Sequence, residues 1–253
     1  MTQDNGTVRI AAVGDLHCPR TSAEELHGLF AYVSEQADVL LICGDLTDFG
    51  KPDEARQLAQ HIAAAGRIPI LAVLGNHDYE CEQHEELIKV FSGSGMTILD
   101  GTATEVRGIG FAGVKGFAGG FGDRALQPWG ELALKKFVHE AVEEALKLES
   151  ALAKLRTPQR IVLCHYAPIP GTIQGEPAEI MPFLGSSRLE EPINRYAVTA
   201  VFHGHAHHGT PEGRTRDGVP VYNVALPLLR GRFPDRRPVR ILEVPVAAPA
   251  TVQ

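Results

Sequence analysis

Short apolar runs alternate with amphipathic stretches through the first hundred residues. Val8–Val13, Val39–Cys43 and Pro69–Leu74 carry no polar alternation, the pattern of strands covered on both faces. Ser22 and Glu25 form a capping box that opens a helix running to about Gln36. Pro52 takes a favoured first-turn position of a second helix, whose Ala55, Leu58, Ala59 and Ile62 share one face. A third helix covers about Gln83–Phe91, and Gly93 and Gly95 stop it. Strands and helices in alternation predict right-handed crossovers and a parallel sheet.

The pattern changes in the second part of the chain. Thr102–Val106 and Ile109–Val114 read as a hairpin about Gly108. A glycine-rich loop, Lys115–Asp123, follows, and its glycines fit either a mobile lid or a tight backbone path. A long helix is predicted over about Glu131–Arg156. Its Leu134, Val138, Ala141, Ala145, Leu148, Leu152 and Leu155 recur at helical spacing, a face for packing on a sheet, with a homo-oligomer seam as the alternative use. Further strands are predicted at Arg160–Cys164, Ala200–His203, Val219–Val224 and Val239–Val244, with a proline-rich loop, Tyr166–Gly185, among them. No linker interrupts residues 1–253, which read as a single α/β domain with two facing sheets and a frayed tail, Ala247–Gln253.

Composition narrows the class. With 253 residues, 44% of them apolar, the chain can build a sizeable core. Its net charge of −7 argues against a polyanion-binding surface, and so against nucleic acid as a partner. Cys18, Cys43, Cys81 and Cys164 form no CxxC pair, which argues against a zinc–thiolate site and fits a reducing compartment. The opening MTQDNGTVRI has neither a basic nor an apolar leader region, and no apolar run reaches the roughly 18 residues of a membrane span. A cytoplasmic protein without membrane partners is expected.

Candidate chemistry sits where the apolar runs end. Seven residues with metal-binding side chains follow such runs: Asp15, His17, Asp45, Asn76, His165, His205 and His207, in the segments VGDLH, LLICGDLTD, VLGNHD, IVLCH and VFHGHAH. An Asp or Asn after Gly can serve a turn alone. Gly204-His205-Ala206-His207 is harder to explain so, because two histidines flanking one small residue seldom serve a core. Aspartate, asparagine and histidine together make a nitrogen and oxygen site for borderline divalent metals. Seven ligands suit two ions better than one tetrahedral ion.

Asp-x-His, Gly-Asp-x-x-Asp, Gly-Asn-His-Asp, a later His and Gly-His-x-His, in this order, resemble the signature of the calcineurin-like metallophosphoesterase superfamily. The resemblance spans Asp15 to His207. It implies a four-layer αββα sandwich with two facing mixed sheets and the metal site at the strand ends. It implies two divalent or trivalent ions, manganese, iron or zinc: one on Asp15, His17 and His207, the other on Asn76, His165 and His205, with Asp45 as the bridge. A carboxylate has two oxygens and can span ions about 3.5–4 Å apart. His77 matches the family's non-ligand histidine beside the leaving group, and Asp48 the carboxylate that orients it. General acid help of this kind is worth roughly 10²–10⁴-fold. The implied activity is hydrolysis of a small phosphate ester by metal-bound hydroxide.

Two departures narrow the branch. Phe49 stands where protein Ser/Thr phosphatases carry a phosphate-binding Arg, and Asp48 where purple acid phosphatases carry a Tyr ligand. What remains resembles the phosphodiesterase-like branch, with a phosphomonoesterase, a nuclease and a non-catalytic scaffold of the same fold as alternatives. Arg20, Tyr166 and Arg188 are the candidate substrate contacts, and His203 and His208, which flank the ligand pair, are candidates for supporting it.

Overall fold

Covering both faces of the central strands takes four layers. In a computed structural model, described over residues 6–66 and 68–246, the chain forms two mixed sheets placed face to face. The first sheet contains β1 (Thr7–Val13), β2 (Val39–Cys43), β3 (Ile70–Val73) and β4 (Met96–Ile98), all parallel in that order. The helices α1 (Ala23–Gln36), α2 (Pro52–Ile62) and α3 (His84–Gly93) connect these strands. The second sheet begins with β5 (Thr102–Val106) and β6 (Ile109–Gly113). A long helix, α4 (Leu132–Lys154), leads to β7 (Arg160–Leu163), and a short one, α5 (Glu190–Arg195), leads to β8 (Ala200–His203). Then come β9 (Glu212–Arg214), β10 (Pro220–Asn223), α6 (Leu226–Arg232) and β11 (Arg240–Pro245). Strand β11 returns to the first sheet, antiparallel beside β1. The second sheet runs β5-β6-β7-β8-β10-β9, with its two edge strands antiparallel to their neighbours.

Side-chain alternation assigns each strand residue to one interface. Val8, Ile10, Val39, Leu41, Leu71 and Val73 face the second sheet and meet Ile109, Phe111, Ile161, Leu163 and Phe202. Ala11, Val13, Leu40, Ile42 and Ala72 face outward under Phe30, Val33, Leu58 and Phe91 of the first three helices. On the far side Val162, Cys164 and Val201 pack under Leu148, Leu152 and Ile193 of α4 and α5. The order is therefore αββα. Each fully buried Leu, Ile or Phe contributes about 1.5–3 kcal/mol.

Strand and helix bounds lie within a few residues of the expected ones. The buried face of α4, including Val138, Ala141, Leu148 and Leu152, lies on the second sheet. Strands β4 and β9 and helices α5 and α6 have no counterpart in the sequence reading. Glu212–Arg214 is polar and becomes a strand only because it pairs with β10. The glycine-rich loop follows the tight path. Gly119 N–H donates to the Pro182 carbonyl and Gly120 N–H to the Gly185 carbonyl, both at 2.9 Å, which stitches it to the proline-rich loop. The expected tail at 247–253 lies outside the described residues. Among those described, no helix is long and apolar enough to cross a membrane.

Candidate metal centre

Parallel neighbours present their C-terminal ends on one edge, where ligand sites of open α/β sheets form. Strands β1, β2 and β3 release Gly14–His17, Gly44–Asp48 and Gly75–Asp78 there, and β7 and β8 release His165 and His205–His207. The first two loops prolong the strand ladder before they diverge. Asp15 N–H donates to the Gly44 carbonyl and His17 N–H to the Asp45 carbonyl, each at 2.9 Å. The glycines before three ligands are required by crowding. A Cβ on Gly44 would overlap the His165 ring, on Gly75 the Asp45 carboxylate, and on Gly204 the Asp15 carboxylate. Asp15 (φ 57°), His17 (φ 44°), Asp45 (φ 49°) and His205 (φ 69°) all hold left-handed backbone, which costs non-glycine residues energy and clusters at functional sites.

The seven predicted ligands come together. Donor atoms of Asp15, His17 and His207 lie within 4.8 Å of one another, and so do those of Asp45, His165 and His205. Asp45 faces both groups: its Oδ2 is 3.7 Å from His17 Nε2, and its Oδ1 is 3.4 Å from His165 Nε2. Asn76 Oδ1 joins the second group, 2.9 Å from His165 Nε2. Asp15 accepts the His205 N–H at 3.0 Å and sits 3.0 Å from His207 Nε2.

Electrostatics leave the donor set short of positive charge. Asp15, Asp45, Asp48 and Asp78 are all buried within this edge. Burial and then the charge of Asp15 push the Asp45 carboxyl well above the usual carboxylate range. Burial also pushes His165 well below its ordinary value, lowers His17 to about 4 and lowers His205 to about 3, so these rings are neutral near pH 7. His207 moves up despite its burial, because Asp15 bonds to it. The His165 tautomer follows from its partners. Nδ1–H donates to the Cys43 carbonyl at 3.0 Å, so Nε2 carries the lone pair and points at the Asp45 carboxylate. His17 is buried, and neither of its ring nitrogens has a hydrogen-bond partner among the described residues. Buried ring nitrogens and carboxylate oxygens that face one another with few hydrogen bonds between them are a donor set that cations satisfy.

Two of the expected partnerships differ. His77 was expected to lean on the Asp48 carboxylate. Instead its Nδ1–H donates to the Asp48 main-chain carbonyl at 2.7 Å. The carboxylate turns the other way, to His17 Nδ1 at 3.4 Å and to Arg20 at 2.5 Å, both on the first loop. Arg20 therefore stands at the mouth of the centre, engaged with Asp48. Arg188, a candidate substrate contact, does not join the centre: its guanidinium donates to the Leu126 carbonyl at 2.9 Å and lines a groove between α4 and α5. Tyr166 does join, its ring 4.5 Å from His205 and 5.4 Å from His165.

This arrangement can be set beside known proteins. Residues 8–209 match the family model of the calcineurin-like phosphoesterases. The chain belongs to that family. Several solved structures share the fold at low identity. The phosphopantetheinyl hydrolase PptH of Mycobacterium tuberculosis aligns over 94% of this chain and 96% of its own, with 14% identity and a TM-score of 0.64. TT1561 of Thermus thermophilus aligns over 95% and 100%, with 17% identity and a TM-score of 0.58. The purple acid phosphatase PPD1 of yellow lupin covers 88% of this chain with 44% of its own, at 14% identity and a TM-score of 0.57. No curated protein matches the chain by sequence.

Three supports of this calcineurin-like centre lie outside the ligand pattern. Asp78, fully buried, accepts from Gly75 N–H (2.8 Å), Thr47 N–H (2.9 Å), Thr47 Oγ1 (2.6 Å) and Leu46 N–H (3.2 Å), tying the Asp45 loop to the Asn76 loop. Its only sequence signal is an Asp at the close of Gly-Asn-His-Asp, which reads as a turn residue. His203, buried, bonds Thr172 Oγ1 at 2.7 Å and steadies the loop carrying His205 and His207, whereas His208 is exposed. Lys115 places its ammonium 5.4 Å from the Tyr166 ring and 4.8 Å from Phe117.

Proposed function

We propose that this calcineurin-like phosphoesterase hydrolyses a phosphodiester with two metal ions. Asp15, His17 and His207 would hold one, Asn76, His165 and His205 the other, and Asp45 would join both. The observation that carries this reading is the Asp45 carboxylate, whose two oxygens face His17 Nε2 at 3.7 Å and His165 Nε2 at 3.4 Å. When bound, the ions supply a hydroxide near neutral pH and neutralise phosphoryl oxygens.

The chain's own residues do the rest. His77, fixed through Nδ1 to the Asp48 carbonyl, keeps Nε2 for the proton that the departing oxygen needs. Its ring lies 4.6 Å from that of His17, which places it beside the centre. Tyr166 walls the side of His165 and His205. The diester reading is supported by Phe49, which is exposed and offers no guanidinium where a monoester dianion would need one. Arg20 is already engaged with Asp48.

Metal analysis of the purified protein, paired with turnover of 4-nitrophenyl phosphate and bis(4-nitrophenyl) phosphate, tests this. Two metals per chain and faster diester turnover are expected. Two bound metals without turnover of either ester would replace catalysis with a scaffold role. Faster monoester turnover would overturn the diester part alone.

A further inference from the structure

Resting on that reading, we infer that an anion subsite built on Arg232 lies beside the metal centre. One arm of the substrate carries a second anionic group, phosphate or carboxylate, that binds there. A groove of about 440 Å³ borders His207 and continues along His208, Pro227, Leu228, Gly231 and Arg232. Arg232 closes α6 and is exposed. Among the described residues no carboxylate lies within ion-pair reach of it, whereas Arg230 pairs with Glu25 and Arg240 with Glu212. Among the described residues it is the only guanidinium lining this groove. A cation at the carbonyl end of a helix is favoured in its own right, but Arg230 already supplies one at the end of α6.

The groove is held in register with the centre. Leu226 N–H, at the start of α6, donates to the Gly14 carbonyl at 2.9 Å, one residue before Asp15. Ala225 N–H donates to Asn223 Oδ1 at 3.1 Å. The amide of Asn223 donates to the carbonyl of Ala206, between His205 and His207, at 2.8 Å. These bonds fix the start of α6 against the loops that carry Asp15, His205 and His207, and the groove leads from His207 along α6 to Arg232. Pro227 and Leu228 offer an apolar bed for the atoms between. A guanidinium grips carboxylate or phosphate through two parallel N–H donors. The substrate class is therefore a phosphodiester with one arm ending in a second anion after a short neutral spacer.

Calorimetry on the metal-loaded protein tests this with alkylphosphonates and ω-phosphonocarboxylates of matched length. The parent protein should bind the carboxylate series at least about tenfold more tightly at one chain length, the scale of a charged hydrogen-bonded pair. Arg232→Ala should erase that advantage and leave alkylphosphonate affinity as it was. Arg232→Lys should restore only part, because an ammonium lacks the planar fork. Equal binding of both series, no phosphonate binding at all, or an advantage that survives Arg232→Ala overturns the subsite. Preferential binding of the carboxylates without metal-dependent ester turnover would sink the hydrolase reading and leave the subsite standing.

Discussion

Replacing Asp78 with Asn should loosen the metal centre from behind, without touching a ligand. The carboxylate is fully buried and accepts four donors: two from Thr47 at Oδ1, and Leu46 N–H and Gly75 N–H at Oδ2. Asn keeps the shape but has one acceptor oxygen. With its NH₂ at the Oδ1 position, Asn faces the Thr47 N–H and the Thr47 hydroxyl; the hydroxyl can turn to accept from it, so one backbone N–H is left without an acceptor. A buried donor in that state costs about 1–3 kcal/mol. Against a total stability of about 5–15 kcal/mol this is a large loss. Urea unfolding of the metal-free protein reads it directly, since bound metal would mask it. The same variant should bind metal about 10–100-fold more weakly, because the Asp45 and Asn76 loops lose their common anchor. Thr47→Val removes one hydroxyl and should cost only about 1 kcal/mol. An Asn variant within about 1 kcal/mol of the parent, with equal metal affinity, would refute the anchoring role.

Asp45→Ala should lower metal content and abolish turnover; full content and full activity would sink the bridging role. His77→Ala should retain metal yet lose roughly 10²–10⁴-fold in turnover of alkyl esters, with little loss for nitrophenyl esters. Equal losses for both leaving groups would refute the proton role. Metal-free protein should lose stability as pH falls. His17 and His203 are both lowered to about 4, chiefly by burial, so the unfolded chain binds protons that the folded chain does not. From an unfolded value of about 6.5, each costs about 2 kcal/mol between pH 7 and pH 5. His165 and His205, which are also lowered, add to this trend, and His207, Asp45 and Asp78, which are raised, oppose it. A urea midpoint unchanged or higher at pH 5 would contradict the assignment.

The ligand residues were legible because each follows a strand directly. Apolar runs such as Val39–Cys43 locate strand ends, and strand ends on a parallel edge locate the residues behind them. Polar partners that depend on a third element were not legible. Asp48 illustrates this: its motif position suggested that its carboxylate meets His77, but only its carbonyl does, and its carboxylate meets His17 and Arg20. Arg188 lies in a single 3-10 turn, Ser187–Leu189, that the sequence does not mark, and tertiary packing carries its guanidinium to Leu126. Edge strand β9 and helix α6 were missed for the same reason, since partners far along the chain define them.

The residues that end the apolar runs carried the resemblance to the family, and with it the expectation of four layers and seven gathered donors, and the strand ends themselves were readable because strand period is a local property. Only the tertiary structure decided which face each donor turns to its neighbours. It alone placed Asp78 behind two loops and brought Arg232 alongside His207 on the rim of one groove. Such contacts join residues far apart in the chain, and direction and distance between them arise only when the two sheets pack.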